Sequence, residues 1–482
     1  MLRKWDLQLR LDRDGGLPVH LQIAQQISAD IQRGRLPPGA PLPGSRELAA
    51  QLGINRKTAV LAYEELAAQG WLLTQGRRGT FVAPSLPLLS PRSAPAAART
   101  PSSVPAHDDI DFGDGVPDSR LIPFDVLGRA YRRALIATAR AGRLAYGDPR
   151  GELPLRQALA EMLDMERGLN ADAERICVVR GSQMGIYLAG RALLRPGDAV
   201  GLDALSYPPA REAFRSLGAQ PLDVEQDAAG MRPDALERLC RTQAVKAIYL
   251  TPHHQYPTTL MMPAERRLQL LALSRRYGFA IIEDDYDHEF HFSHSPVLPM
   301  ASLDAAERII YVGSLSKVLA PGLRVGYLVA DSALIQRFAA DIMLIDRQGN
   351  AVTELAVTEL MHSGELKRHL RRTLRVYRAR RQALADAIDS HLAGLAEYEL
   401  PEGGLALWLR LPSWVDMPRL SADARSAGVR FLPGGAFGSD GRDIPALRLG
   451  FGALEAAQLE QGVARLAQAL RRQIPAAGLQ SS

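Results

Sequence analysis

The chain has 482 residues, of which 46% are hydrophobic and 23% charged, and its formal net charge is +5. That balance belongs to an ordinary globular protein and excludes a disordered chain, a fibre and a disulfide-stapled miniprotein. Cys177 and Cys240 are the only cysteines, too few for a disulfide framework, and no apolar run reaches the roughly 18 residues of a membrane span.

Charge is concentrated at the start. Residues 1–90 hold eleven Lys/Arg against seven Asp/Glu, nearly the whole excess. A small basic segment on a near-neutral body points towards nucleic acid, although a solvated surface would look the same. The opening MLRKWDLQLR lacks the apolar core of a secretion signal, so a cytoplasmic location is expected.

The first predicted domain covers residues 15–83. Val19, Ile23, Ile27 and Ile31 recur every four residues and predict an amphipathic helix over 18–33, stopped by Gly34 and Pro37-Pro38-Gly39. Ser45 is expected to cap a second helix, with Leu48, Ala49 and Leu52 inward and Gly53 at its end. Asn55 is expected to cap a third helix running to Gln69, with Ala59 or Val60, Tyr63 and Leu66 inward. Two strands over 71–75 and 80–83 follow, joined by Gly76-Arg77-Arg78-Gly79. Three helices and a basic hairpin make a winged helix-turn-helix. The third helix presents Arg56, Lys57 and Thr58 at its N-terminal end, where a recognition helix meets base edges and its amides favour phosphate. Arg77 and Arg78 would lie against the DNA backbone or in the minor groove. Singly these are ordinary surface charges; their order and spacing make double-stranded DNA the expected partner.

Residues 84–107 form a predicted linker. Six of these 24 residues are Pro and none is aromatic. Such a segment favours extended conformations and spans up to about 75 Å at ~3.1 Å per residue.

Residues 108–482 alternate predicted strands and helices. Strands are expected at 176–180, 199–202, 247–250, 280–283, 309–312 and 326–329. This is the pattern of an α/β domain with a mainly parallel sheet, which binds ligands at the strand C-terminal ends. Gly181-Ser182-Gln183 follows the first strand and precedes a helix, a turn able to hold phosphate. Glu283-Asp284-Asp285-Tyr286-Asp287 admits three readings: a metal site, an acidic surface loop, or an Asp/Tyr pair around a heteroaromatic ring. Gly313-Ser314-Leu315-Ser316-Lys317 and Gly322-Leu323-Arg324 come next.

Pyridoxal 5'-phosphate needs an amine for its aldehyde, a carboxylate for its ring nitrogen, a phenol for its ring hydroxyl, an aromatic face and a phosphate cradle. Lys317, Asp284, Tyr286 and Tyr207 supply the first four; Ser182, Gln183, Ser314 and Arg324 supply the cradle. Lys317 would form the Schiff base. A metal site built from His253, His254, Asp287, His288 and His291 is the rival reading. No two of these sit four apart on an evident helix, and His288 and His291 fall on a segment read as extended, so no metal is expected.

The segment LPGSRELAAQLGINRKTAVLAYEEL with the wing GRRGTFV resembles the GntR superfamily of bacterial regulators over residues 17–83. That resemblance implies DNA contacts at Arg46, Arg56, Thr58 and Gly79. Over residues 110–470 the chain resembles the fold-type I aminotransferases. Asp284 with Tyr286, Ser-x-x-Lys at Ser314–Lys317 with Arg324 seven residues on, and Tyr207 in SYPPAREAF carry the likeness. Tyr146 in LAYGDPRGELPLRQAL matches the tyrosine that reaches the phosphate across a dimer interface, and Arg448 in ALRLGFG the arginine that holds an effector or substrate carboxylate. One departure is Tyr256-Pro257-Thr258-Thr259, where those enzymes carry Asn-Pro-Thr-Gly.

A GntR-type winged helix, a Pro-rich linker and an aminotransferase-like body together resemble the MocR subfamily, and the HQYPT segment most resembles its pyridoxine-biosynthesis regulators. The resemblance implies a head-to-tail homodimer that regulates transcription. It would sense pyridoxal phosphate, or an amine or amino acid, through the Lys317 Schiff base, and would act on vitamin B6 or amino-acid metabolism. Transaminase activity would be weak at most. The competing reading is an active aminotransferase with an accessory DNA-binding domain.

Overall fold

The computed structural model of the chain describes residues 9–12, 16–75, 79–84, 109–113, 115–142, 145–292, 298–303 and 308–474. They fall into two compact units, residues 1–103 and 104–482.

In the first unit, α1 (Val19–Gln32), α2 (Ser45–Leu52) and α3 (Arg56–Ala68) surround a core of Ile23, Ile27, Ile31, Leu48, Ala59, Tyr63 and Leu66. The four-residue spacing of the isoleucines therefore does what amphipathic periodicity requires. Gly53 ends α2 in the left-handed region at φ 61°, a backbone that glycine adopts without a Cβ clash. Asn55 caps α3, its side chain accepting from the Lys57 amide at 2.9 Å. The expected Ser45 cap is corrected: Gly44 holds the extended cap conformation and Ser45 is already helical. Strands β2 (Leu72–Thr74) and β3 (Thr80–Val82) pair antiparallel, and the Gln75 amide donates to the Gly79 carbonyl to close the hairpin. A third strand, β1 (Pro41–Leu42), joins β3, a pairing too short to signal itself in the sequence. Arg77, Arg78 and the linker beyond Pro84 lie outside the described residues.

The second unit begins with β4 (Ile110–Asp111), α4 (Phe124–Arg140) and α5 (Leu153–Arg167). Next come β5 (Ile176–Val179), α6 (Gly181–Leu193), β6 (Ala199–Asp203), α7 (Pro208–Ser216) and β7 (Gln220–Val224). A ribbon of β8 (Gln226–Asp227) and β9 (Gly230–Met231) precedes α8 (Pro233–Thr242), β10 (Val245–Leu250), α9 (Ala264–Tyr277), β11 (Ala280–Asp285), β12 (Ile309–Ser314) and β13 (Gly326–Val329). The large sheet has the order β5-β13-β12-β11-β10-β6-β7. Strands β12, β11, β10, β6 and β7 pair parallel, whereas β13 runs antiparallel to both neighbours.

Burial on both faces explains the continuous apolar runs of these strands. Along β5, Cys177 and Val179 pack towards α6, α7 and α10 (Ser332–Ile345), while Ile176 and Val178 pack towards α4, α5 and α11 (Ala351–His362). Both cysteines are free thiols. The chain ends in α12 (Glu365–Leu392), β14 (Glu397–Tyr398), β15 (Ala406–Arg410), α13 (Met417–Ser426), β16 (Val429–Arg430), β17 (Leu432–Pro433), β18 (Ala446–Gly450) and α14 (Ala456–Arg471). Here an antiparallel sheet of order β14-β15-β18-β17 packs on the helices through its own core. Among the described residues no helix is long and apolar enough to cross a membrane.

The Asn55 cap carries a testable consequence. Asn55→Ala removes about 0.5–2 kcal/mol from α3, and hydrogen exchange of its amides should quicken by about 2- to 30-fold, with α12 unchanged as the internal control.

Candidate functional site

One edge of the large sheet gathers the chemistry. The parallel strands β6, β10, β11 and β12 end there, and antiparallel β13 starts there. Asp284 lies in β11 between Tyr249 of β10 and the strand β12. Its carboxylate is 2% exposed and accepts from the Tyr249 hydroxyl at 2.7 Å through Oδ2. Oδ1 is buried with no hydrogen-bond partner among the described residues. Burial, with the nearby Asp285 charge, pushes the Asp284 carboxyl up to about 7, against the opposing pull of Tyr249 and Lys317.

The Lys317 ammonium stands 4.3 Å from the centre of the Tyr286 ring, and the Tyr286 hydroxyl donates to the His254 carbonyl at 3.1 Å. Tyr207, the N-cap of α7, meets Tyr256 edge-on at 5.1 Å, and Tyr256 meets Tyr286 at 6.1 Å. Trp408 and Phe437 back this aromatic wall. The sequence reading placed no role on Tyr249 or on Tyr256 as wall residues. A phenol inside an apolar strand was the available signal, because a buried hydroxyl requires a partner.

Ser182 and Gln183 occupy the first turn of α6, whose amides point out of the helix. A Cβ on Gly181 would lie 2.6 Å from the Arg324 guanidinium, so the guanidinium sits directly against that helix end. Arg324 takes the left-handed backbone at φ 53°, which costs a non-glycine residue roughly 1–2 kcal/mol and is held here by its surroundings. Its guanidinium donates to the Arg180 carbonyl at 2.9 Å. Ser314 ends β12 opposite Gly326 and accepts from the Ser316 amide. Gln183 donates to the Pro209 carbonyl and keeps a buried, unpartnered Oε1. Helix amides, hydroxyls and a guanidinium on one spot form an anion cradle. The cradle and the unpaired Asp284 oxygen fit the phosphate and the protonated ring nitrogen of pyridoxal phosphate.

Arg448, on β18, is buried over the Tyr256 ring at 4.5 Å and donates to the Pro257 carbonyl at 2.8 Å. It therefore borders the same aromatic wall. Tyr146 does not join that wall within one chain: its ring is 75% exposed and packs under the Arg347 guanidinium.

The reading of His288 and His291 as an extended pair is corrected. Residues 286–289 form a turn, and His291 bridges to Gly403. The turn stacks His253, His254, His288 and His291 in one buried group with ring centres 4.7–5.6 Å apart for the touching pairs. Asp285 accepts from the Tyr311 hydroxyl and contacts His288 Nδ1, while Asp287 contacts His254 Nδ1 at 2.8 Å. Both carboxyls stay below the usual range despite burial, because these histidines and nearby cations favour the charged form. Burial lowers His253 to about 2 and His291 to about 4, so both rings are neutral near pH 7.

On the first unit, Arg46, Arg56 and Lys57 are exposed, and Thr58 is half-buried at the start of α3. Gly79 closes the hairpin at φ 107°, a backbone open to glycine. Among the described residues none of the three cations forms an ion pair, which leaves them available to phosphate.

Asp284 yields a pH prediction. Burial raises its folded pKa above the unfolded value, so the folded state holds the proton more tightly and this group's contribution to stability falls as pH climbs from about 4 to about 7. In ligand-free protein, Asp284→Asn should therefore gain a few kcal/mol over wild type at about pH 8, and the difference should vanish near pH 4. Urea unfolding across pH measures it. The same variant should bind the cofactor more weakly.

Family models match the chain in two places. The aminotransferase class I and II model covers residues 107–466, and the bacterial regulatory protein gntR model covers residues 20–82. The probable rhizopine catabolism regulatory protein MocR of Rhizobium meliloti is 29% identical over 480 residues, spanning 94% of this chain and 96% of that one. The HTH-type pyridoxine biosynthesis transcriptional regulator PdxR of Corynebacterium glutamicum is 33% identical over 383 residues, spanning 80% of this chain and 82% of that one. Among solved structures, the α-aminoadipate aminotransferase LysN of Thermus thermophilus, complexed with N-(5'-phosphopyridoxyl)-L-leucine, superimposes with a TM-score of 0.71 at 31% identity. The match covers 76% of this chain and 93% of that one.

Proposed function

The chain belongs to the aminotransferase class I and II family and, with its gntR-type domain, to the MocR subfamily of transcriptional regulators, and on that footing we propose how it works. It binds DNA through the winged helix and pyridoxal 5'-phosphate through the body, and occupancy of the body sets the DNA-binding state. The observation that carries this reading is the pairing, in one chain, of an unpaired basic helix end with a Lys317–Asp284 pocket and an anion cradle.

When bound, the cofactor supplies an aldehyde that condenses with an amine and a ring that withdraws electrons. The protein side is the work of named residues. Lys317 offers the amine, as its Schiff-base residue. Asp284 holds a proton on the ring nitrogen, aided by its low-dielectric surroundings. Tyr286 orients the ring hydroxyl, Tyr207 stacks on the ring, and Ser182, Gln183, Ser314 and Arg324 take the phosphate. Arg448 receives the carboxylate of an amino-acid effector.

Tyr146 completes the phosphate site of the other subunit in a head-to-tail homodimer, which its exposure supports. The domain limits are 15–83, 84–107 and 108–482, and the protein works in the cytoplasm. DNA contacts run through Arg46, Arg56, Lys57, Thr58 and Gly79, with Arg77 and Arg78 on the wing. The effector is the cofactor itself or an amine, and the regulated pathway is vitamin B6 or amino-acid metabolism; the likeness to PdxR supports the former. Transamination is slow at most. Tyr256 stands where the related enzymes place an asparagine, and Arg448 is already engaged by the Pro257 carbonyl.

Operator binding, adduct mapping and turnover test this. Arg56→Ala should weaken operator binding by about 1–3 kcal/mol, and wild-type binding should fall steeply with salt. Borohydride reduction of the holoprotein should fix the cofactor on Lys317, read by peptide mass. Lys317→Ala should lose that adduct and the difference in DNA binding between cofactor-free and cofactor-loaded protein, while keeping basal affinity. Equal operator binding by cofactor-free and cofactor-loaded wild type would remove the cofactor as effector. A kcat near the ~10 s⁻¹ of ordinary enzymes would favour a working aminotransferase.

A further inference from the structure

Beside the cofactor pocket, four imidazoles from two separate segments converge on one buried point. His253 and His254 follow β10; His288 and His291 follow β11. His253, His254 and His288 are 2–3% exposed. Both ring nitrogens of His253 and the Nε2 atoms of His254, His288 and His291 are buried without a hydrogen-bond partner among the described residues. A buried polar nitrogen left unpaired costs on the order of 1–3 kcal/mol, and five in one group is not an arrangement that packing alone favours.

From this convergence of ring nitrogens we propose that the chain holds a divalent late first-row transition metal, of the zinc, cobalt or nickel class, on His253, His254 and His291.

Three observations support the site. First, ligand atoms of His253, His254 and His291 lie within 4.8 Å of one another, as do those of His253, Asp285 and His288, so His253 is common to both groups. A tetrahedral centre with metal–nitrogen bonds of about 2.0–2.1 Å separates its ring centres by roughly 5 Å. The touching pairs here lie at 4.7–5.6 Å. Second, Asp287 contacts His254 Nδ1 at 2.8 Å and Asp285 contacts His288 Nδ1 at 2.7 Å. A carboxylate on one ring nitrogen fixes the tautomer that leaves the other as a lone-pair donor, the usual outer support of a metal-bound histidine. Third, a Cβ on Gly403 would lie 2.3 Å from His254 Nε2. Gly403 does not adopt positive φ, so glycine is needed here for room, both beside the Phe290 carbonyl oxygen, 2.2 Å from such a Cβ, and beside that nitrogen. An all-imidazole set suits zinc and its neighbours over calcium or magnesium, which prefer oxygen.

The site joins the segment carrying Tyr256 to the turn carrying Tyr286, and His291 bridges by backbone to Gly403 ahead of β15. A metal there would fix the aromatic wall of the cofactor pocket from behind, without touching the reacting atoms.

The test uses full-length, untagged holoprotein stripped with EDTA and titrated with Co²⁺, read by visible absorption, with zinc content measured by mass spectrometry. Wild type should bind one equivalent per chain and show the intense visible bands of four-coordinate cobalt. Lys317→Ala should bind cobalt equally, which separates this site from the cofactor. His253→Ala and His291→Ala should lose the bands. Asp287→Asn, which keeps every ligand, should weaken affinity by about 10–100-fold, with circular dichroism checking the fold. If a histidine variant fails to fold, wild-type stoichiometry and Asp287→Asn decide. The proposal is overturned if stripped wild type takes up no cobalt, if Lys317→Ala abolishes binding, or if folded His253→Ala and Asp287→Asn bind as wild type does.

Discussion

The pocket depends on one buried charge. Asp284 lies near the end of β11 inside the sheet, with one oxygen satisfied by Tyr249 and the other by nothing among the described residues. A carboxylate in that setting is costly to ionise. Its neighbours differ. Asp285 contacts His288 and Tyr311 near Arg167, and Asp287 contacts His254, so both keep their charge. Of the three aspartates, Asp284 alone contacts no histidine among the described residues, and a cation from outside the fold would hold it ionised. A protonated ring nitrogen is such a cation, and on the proposed reading Lys317 would bind the same molecule covalently. On that reading the strand order, the aromatic wall and the cradle would all serve to present that molecule to Asp284.

The cradle is a steric unit spread over three segments. Antiparallel β13 starts beside the end of β5, and a Cβ on Gly326 would lie 2.8 Å from the Gly181 backbone. Gly181 in turn leaves space for the Arg324 guanidinium. Neither glycine leaves room for a Cβ. Arg324 holds a left-handed backbone because the turn before β13 must bring its side chain to the head of α6. Local strain here is offset by packing elsewhere, as is common where a site must be rigid before its ligand arrives.

Much of this was legible in the sequence. The spacing of Ile23, Ile27 and Ile31 gave α1, and Asn55 gave the start of α3, because helix periodicity and capping are local rules. The strand ends carrying Ser182, Asp284, Ser314 and Lys317 followed from alternating elements. What was not legible depended on contacts between distant segments. The short strand β1 exists only by pairing with β3. The antiparallel direction of β13 is set by its neighbours, since its residues read like those of any buried strand. Tyr249 meets Asp284 across two strands, and the histidines meet across 35 residues through a turn that reads as extended. Arg448 and Tyr146 were located by resemblance, and one chain brings only Arg448 to the wall.

A body of this kind can act as a sensor because its occupant changes charge at both ends of the site. With the pocket open, Asp284 sits close to its titration point near pH 7. A ring cation would hold it ionised, and a phosphate would neutralise the field of Arg324 and the α6 amides. Neither change by itself moves a DNA-binding unit. Occupancy shifts a two-state equilibrium only by the difference in affinity between the states, and a swing from 1:99 to 99:1 needs about 5.5 kcal/mol. The buried Asp284 carboxylate lies in low dielectric, where interactions of that size arise; the exposed Arg324 guanidinium is screened by solvent and contributes less. An amine that merely replaces Lys317 on a cofactor already in place leaves both charges as they were. Its differential contact would have to come from the Arg448 end of the pocket, where the guanidinium donates to the Pro257 carbonyl and would have to accommodate a carboxylate as well. The two candidate signals therefore act on different walls of the same pocket, and the wall that moves identifies the effector.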